Sequence, residues 1–315
     1  MNKKLKIYVA GHNGLVGSAI LRKLKKEGYH NFILRSRVQL DLLDQKSVAE
    51  FFEDEKPDYV FLAAAKVGGI LANQTYPADF IYENLQVQNN VIYQAYKNKV
   101  KKMLFLGSSC IYPKLASQPI KEEYLLTSGL EETNIGYAIA KIAGLMTCQL
   151  FNRQYGTNFI SVMPTNLYGP NDNFNLKTSH VLPALIRKFH EAKIENKESV
   201  EIWGTGSAKR EFLHVDDLAD ACFFLMNNYD GSEILNIGTG NDLTIKELAE
   251  IIKKIVGYQG KISWNTTKPD GTPRKMLDVT KLHDLGWHHQ IELPKGIKIT
   301  YDWYLNNINS ANQIR

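Results

Sequence analysis

The stretch IYVAGHNGLVGSAILRKLKKEG (7–28) leaves few folds open to this chain. A short apolar run ends on a glycine, and Gly11, Gly14 and Gly17 then recur at three-residue spacing. Such glycines allow a tight turn, close approach of backbone to a pyrophosphate, and close packing of helix on strand. The helix that follows offers its N-terminal amides and dipole to phosphates. It is predicted to begin near Val16, with Ile20, Leu21 and Leu24 on one face and Gly28 as C-terminal cap. The expected ligand is a dinucleotide, held by Gly11, His12, Asn13, Gly14, Leu15, Val16 and Gly17.

Further apolar runs at 31–35, 59–65, 103–107 and 159–163 alternate with amphipathic segments. That alternation implies βαβ units and an α/β, Rossmann-type doubly wound parallel sheet. Beyond Pro170 the rhythm loosens into HVLPALIRKFHEA, VEIWG, TIKELAEIIKKIVG and KPDGTPRK, read as a smaller, interleaved substrate domain. The expected division is 1–165, with a later contribution near 211–245, for the dinucleotide, and 166–210 with 246–315 for the substrate.

No segment reaches the roughly 18 apolar residues that a membrane span needs. The three cysteines, Cys110, Cys148 and Cys222, give neither a disulfide framework nor a zinc pattern. A reduced, cytoplasmic protein follows, without membrane or metal. The net charge of +5 is spread along helical faces such as LRKLKKEG, so nucleic acid is not an expected partner.

After the second run comes LRSRVQLD. Arg35 and Arg37 suit a ribose 2′-phosphate, which favours NADP(H) over NAD, with Arg37 as the chosen contact. Asp41 either faces the adenine or caps the next helix. Tyr137 and Lys141, in NIGYAIAK, are four apart and share a helical face. A neighbouring ammonium is expected to bring the phenol, ordinarily near pKa 10, toward the working range. Ser108, at the end of the strand MLFLG, completes a donor set around a carbonyl oxygen, with tyrosine as proton donor.

GHNGLVG, GSSCIYP, YAIAK, TNLYGP, REFLHVDDLA and NIGTG together resemble the extended short-chain dehydrogenase/reductase family over nearly the full length. AAAKVGGI, NQTYPADFIYEN, LGSSCIYPKLA, MPTNLYGPNDNF and KPDGTPRK are similar to its 3,5-epimerase/4-reductase branch, which acts on GDP-4-keto-6-deoxy-D-mannose. The resemblance implies a homodimer and a reductive triad of Ser108, Tyr137 and Lys141. It implies Cys110 and His180 as the acid/base pair at C3 and C5 of the sugar. Lys188, Trp203, Arg210, Asp270 and Lys275 fall on substrate-side positions. Leu106, Gly107, Ser108, Ser109, Lys141, Pro164, Thr165, Asn166, Leu167 and His180 fall where the family approaches the cofactor.

Plainer readings stand beside two of these: His180 as the cap of a helix near Leu182, and Trp203 as core. Dehydratase relatives place Thr-Asp-Glu where this chain has Ser109-Cys110-Ile111, with no carboxylate. Two positions depart from the family pattern. Asn13 stands where some bacterial members carry arginine, and Ile135-Gly136 replaces a Glu-Pro pair, which is expected to loosen the approach to the catalytic helix.

Overall fold

Strands without a polar face must be covered on both sides, and β1 (Ile7–Ala10) is buried at every position. In the computed structural model, which describes residues 1–268 and 270–308, it leads through the glycine loop into α1 (Leu15–Lys26). There follow β2 (Phe32–Ile33), α2 (Gln45–Glu55), β3 (Tyr59–Leu62), α3 (Ile70–Thr75), α4 (Pro77–Lys97), β4 (Lys102–Leu106), α5 (Ile135–Tyr155) and β5 (Phe159–Pro164). The chain continues as β6 (Asn166–Tyr168), α6 (Val181–Ile194), β7 (Ser199–Trp203), β8 (Lys209–His214), α7 (Val215–Asn228) and β9 (Leu235–Ile237). It ends in β10 (Asp242–Thr244), α8 (Ile245–Val256), β11 (Lys261–Asn265), β12 (Arg274–Lys275), α9 (Thr280–Asp284) and α10 (Leu293–Asn306). Pro269, within KPDGTPRK, and 309–315 lie outside the described residues.

The main sheet runs β2-β1-β3-β4-β5-β9, and all of its pairings are parallel. One face packs on α2, α4 and α5 through residues such as Phe52, Val91 and Leu145. The other packs on α1 and α7 through Ile20, Leu24, Leu218 and Leu225. Strand order reverses between β1 and β3, the crevice where doubly wound sheets bind ligands outside the carboxyl ends of their strands. A second sheet joins β6, β8, β10 and β12, while β7 pairs with β11. Their apolar faces close with α6, α8 and α10 over a separate cluster around Tyr168, Phe189 and Ile252. Thr244 and Glu247 form a reciprocal capping box that starts α8.

Glu211, on β8, ties these parts together, although it is 0% exposed. Its Oε1 accepts from the amides of Thr239 (2.6 Å) and Gly240 (2.8 Å), and Oε2 from that of Leu277 (2.9 Å). Its backbone oxygen accepts from Asn166 Nδ2 at 2.8 Å and Thr165 Oγ1 at 3.3 Å. A buried group left without its partner costs about 1–3 kcal/mol. Glu211→Ala orphans three amides, and should lower the unfolding free energy by at least about 3 kcal/mol. Urea unfolding measures this; a midpoint shift worth less than about 1 kcal/mol would remove the structural role.

Candidate active site

The loop after β1 folds back on itself more tightly than any side chain permits. A Cβ at Gly17 would lie 2.1 Å from the Gly11 oxygen, and one at Gly11 would lie 2.8 Å from the Ala64 nitrogen at the end of β3. Gly11 also takes φ +81°, a left-handed conformation open to glycine. Gly14 caps α1 without a side-chain bond, and the first turn of α1 carries no acidic residue. The amides there are left for an anion, so the loop fits a dinucleotide pyrophosphate. His12 lies beside them with Nδ1 buried and unpartnered. Asn13 is exposed.

Arg35 and Arg37 differ sharply. Arg35 is paired with Glu55 and lies over the Phe51 ring, whereas Arg37 is 73% exposed with Glu83 at 3.9 Å. Only Arg37 is open to a phosphate. Asp41 does not cap the next helix. Its Oδ1 accepts from the Leu43 amide at 3.1 Å, and Asp44 caps α2 through the amides of Lys46 and Ser47.

Leu106 ends β4, and Gly107 packs so closely on Met163 that a Cβ would lie 2.3 Å from its sulfur. Ser108 then accepts from the Cys110 amide at 3.2 Å and starts a turn of 3-10 helix, in which Ser109 is buried. This turn brings Cys110 toward Lys275 on β12, whose Nζ lies 3.5 Å from Sγ. Lys275 is paired in register with Arg210 on β8, so two cations lie side by side on one edge. Pro164 ends β5 and Thr165 is buried beside it, with Asn166 and Leu167 opening β6.

Tyr137 lies in the first turn of α5, near Ser108 and packed edge-on against Phe80. Burial, then the charge of Cys110, pushes its hydroxyl above the ordinary value, against the opposing pull of Ser108. The expected lowering by Lys141 does not occur. The ammonium donates to the Leu106 oxygen at 2.7 Å and lies 5.8 Å from the centre of the tyrosine ring. Burial brings Lys141 itself down to about 8. A protonated tyrosine is the form that can donate to a carbonyl oxygen.

His180 is the residue before α6, but its ring makes no capping bond, so the simple cap reading falls. The residue is exposed. The surrounding protein and the Lys275 ammonium both hold its imidazole below the usual value. Trp203 is not core: it ends β7 at 57% exposure, with Lys268 over its ring at 5.4 Å.

Lys188 and Arg210 are half-buried, and desolvation lowers both. Lys188 Nζ donates to the Glu201 oxygen at 3.1 Å. Asp270 has both oxygens engaged by Thr205, at 2.7 Å to its amide and 2.8 Å to Oγ1, and so clamps the loop after β7. Gly136 does not loosen the start of α5. A Cβ there would lie 2.8 Å from the Pro77 oxygen, so glycine lets α5 press against α4. Glu211 was missed from sequence, though a carboxylate inside the buried run of REFLH was its signal. No helix among the described residues is long and apolar enough to cross a membrane, and none of them form a metal-holding cluster.

The thiols are predicted to differ in reactivity. Cys148 is pushed up to about 12 by burial, and burial also raises Cys222. Iodoacetamide at neutral pH should label Cys110 first. Lys275→Met, which removes the cation beside Sγ, should slow that labelling several-fold. An unchanged rate in a peptide-mapped time course would mean that the contact does not act on the thiol.

Comparison with known proteins bears on this geometry. Residues 7–238 match the NAD dependent epimerase/dehydratase family. GDP-L-fucose synthase 1 of Arabidopsis thaliana is 62% identical over 307 residues, covering 98% of this chain and 95% of that protein. GDP-L-fucose synthase of Escherichia coli is 55% identical over 313 residues, covering 96% and 98%. Among solved structures, a GDP-D-glycero-L-gluco-heptose synthase from Campylobacter jejuni, determined in the presence of NADPH, superposes with a TM-score of 0.88 at 45% identity, covering 97% and 99%. With a glycine cradle at the switch point of its sheet and this breadth of likeness, the chain belongs to the NAD dependent epimerase/dehydratase family, in the group that contains the GDP-L-fucose synthases.

Proposed function

We propose that this protein converts GDP-4-keto-6-deoxy-D-mannose to GDP-L-fucose, by epimerisation at C3 and C5 followed by NADPH-dependent reduction at C4. One observation carries the reading: a single turn after β4 holds both Ser108, near Tyr137, and Cys110, at 3.5 Å from Lys275. Reduction and proton exchange thus share one cleft. Homologues named GDP-L-fucose synthase at 55–62% identity support the substrate. The relative determined in the presence of NADPH and the exposed Arg37 support the cofactor.

The 4-keto group acidifies the hydrogens on both neighbouring carbons. Cys110 and His180 move protons there, each carbon passing through an enol and being reprotonated from the opposite face. Lys275 faces the thiol and offers a charge to the thiolate form. Ser108 and Tyr137 hold the C4 oxygen, and Tyr137 gives it a proton as the ketone is reduced. Bound NADPH supplies the hydride. The glycine loop holds its pyrophosphate, and Arg37 its 2′-phosphate. Lys188, Arg210 and Lys275 pair with the substrate diphosphate while Trp203 packs on a ring. Residues 1–165 with 211–245 form the cofactor part of this scheme, and 166–210 with 246–315 the substrate part. The protein acts in the cytoplasm as a homodimer, an arrangement supported by exposed Tyr82 and Tyr93 on α4 and Ile139 and Leu150 on α5.

Supplying the keto sugar with NADPH, and following absorbance and product together, tests the whole reading. Cys110→Ser should cut solvent-deuterium uptake at C3 and C5 by at least tenfold with NADPH binding intact, and Tyr137→Phe should block C4 reduction. Undiminished exchange in the first variant, or full NADPH turnover in the second, would reject the assigned roles. Arg37→Ala should weaken NADPH by at least tenfold while sparing NADH in fluorescence titrations. Equal losses for the two would mean that the arginine does not read the 2′-phosphate.

A further inference from the structure

The ring of His180 has no capping bond to hold it, so its place in the cleft is set by the backbone that leads to it. That backbone rests on the glycine pair before α3. The Gly69 amide donates to the Thr178 oxygen at 2.9 Å, and a Cβ on Gly69 would lie 2.9 Å from the Ser179 oxygen. The turn before His180 therefore sits against bare backbone, with no room for a methyl group between them.

The glycine pair is itself gripped from behind. Asn73, 6% exposed on α3, donates through Nδ2 to the oxygens of Gly68 (2.8 Å) and Gly69 (3.1 Å). Its Oδ1 is buried with no partner among the described residues. On the far side, a Cβ at Gly68 would lie 3.2 Å from Phe80 Cζ, and Phe80 packs edge-on against Tyr137 with ring centres 6.4 Å apart. Asn73 also lines a cavity of about 350 Å³ together with Phe80, Gly136 and Tyr137. One loop thus touches the support of Tyr137 on one side and the support of His180 on the other.

We infer that Asn73 and Gly69 are positioning residues: the loop they shape sets how far the His180 imidazole stands from the sugar carbons while Tyr137 stays in place. The inference rests on the proposed epimerase/reductase activity. If it holds, disturbing the loop uncouples the two halves of the reaction, and the ketone is reduced before both carbons have been inverted. Asn73→Asp keeps the side-chain size but removes both donated bonds, and Gly69→Ala forces a methyl group against Ser179.

The experiment gives each variant GDP-4-keto-6-deoxy-D-mannose and NADPH, then resolves the C4-reduced sugars by NMR. The ratio of incompletely epimerised to fully epimerised product is read from whatever accumulates, so it does not depend on how much enzyme folds. Both variants should raise that ratio at least tenfold over the parent, with the NADPH dissociation constant within about twofold. A slower enzyme with an unchanged ratio in both variants would overturn the positioning role. A parent enzyme that forms no reduced sugar would instead overturn the proposed function beneath it.

Discussion

The site depends on one carboxylate that makes no ion pair among the described residues. Glu211 is held in the interior by backbone amides, and burial raises it above the usual carboxylate range. Its partners are what give it reach. Thr239 and Gly240 belong to the loop after β9, Leu277 lies two residues beyond Lys275, and Thr165 with Asn166 lies at the end of β5. The ends of β5, β9 and β12 are thereby fixed to one another. Neighbouring Arg210 projects from the same strand, so a cation proposed to meet the substrate is referenced to the same anchor.

Burial also sets the proton inventory of the cleft. The same desolvation acts oppositely on groups that are neutral and groups that are charged in their protonated forms. It raises Tyr137, lowers Lys141 to about 8 and lowers His180. The outcome is a phenol that keeps its proton and an imidazole that is neutral and able to receive one. A cleft with this distribution suits the giving and taking of protons around a ketone better than the stabilisation of a fixed anion.

Much of this was legible in the sequence because it is written locally. The glycine spacing, the Tyr137–Lys141 interval and the apolar strands each lie within a few residues, and the structure places them as βαβ units on a parallel sheet. What escaped depends on partners far along the chain. Arg35 and Arg37 look alike in LRSRVQ, yet Glu55 and Phe51 engage only the first. Trp203 ends an alternating strand, and the pleat decides that it faces outward. The protonation of Tyr137 could not be read from its helix, because the Lys141 ammonium turns instead to the carbonyl of Leu106 on β4. Asn73 lay in a motif noted only for its resemblance, and its bonds back to Gly68 and Gly69 become visible only once α3 forms.

The pairing of β12 with β8 is short: Arg274 opposite Lys209, and Lys275 opposite Arg210. Because side chains alternate along a strand, Arg274 turns to Asp242 and Lys275 to Cys110. Displacement by a single residue would present the thiol with Arg274 or Met276 instead. Inheritance should therefore treat the stretch from 266 to 273 unevenly. Apart from Asp270, whose carboxylate holds Thr205, and Gly271 at φ +74°, its letters can drift between lineages, while a one-residue insertion or deletion is purged, so that divergence here accumulates in composition and hardly at all in length.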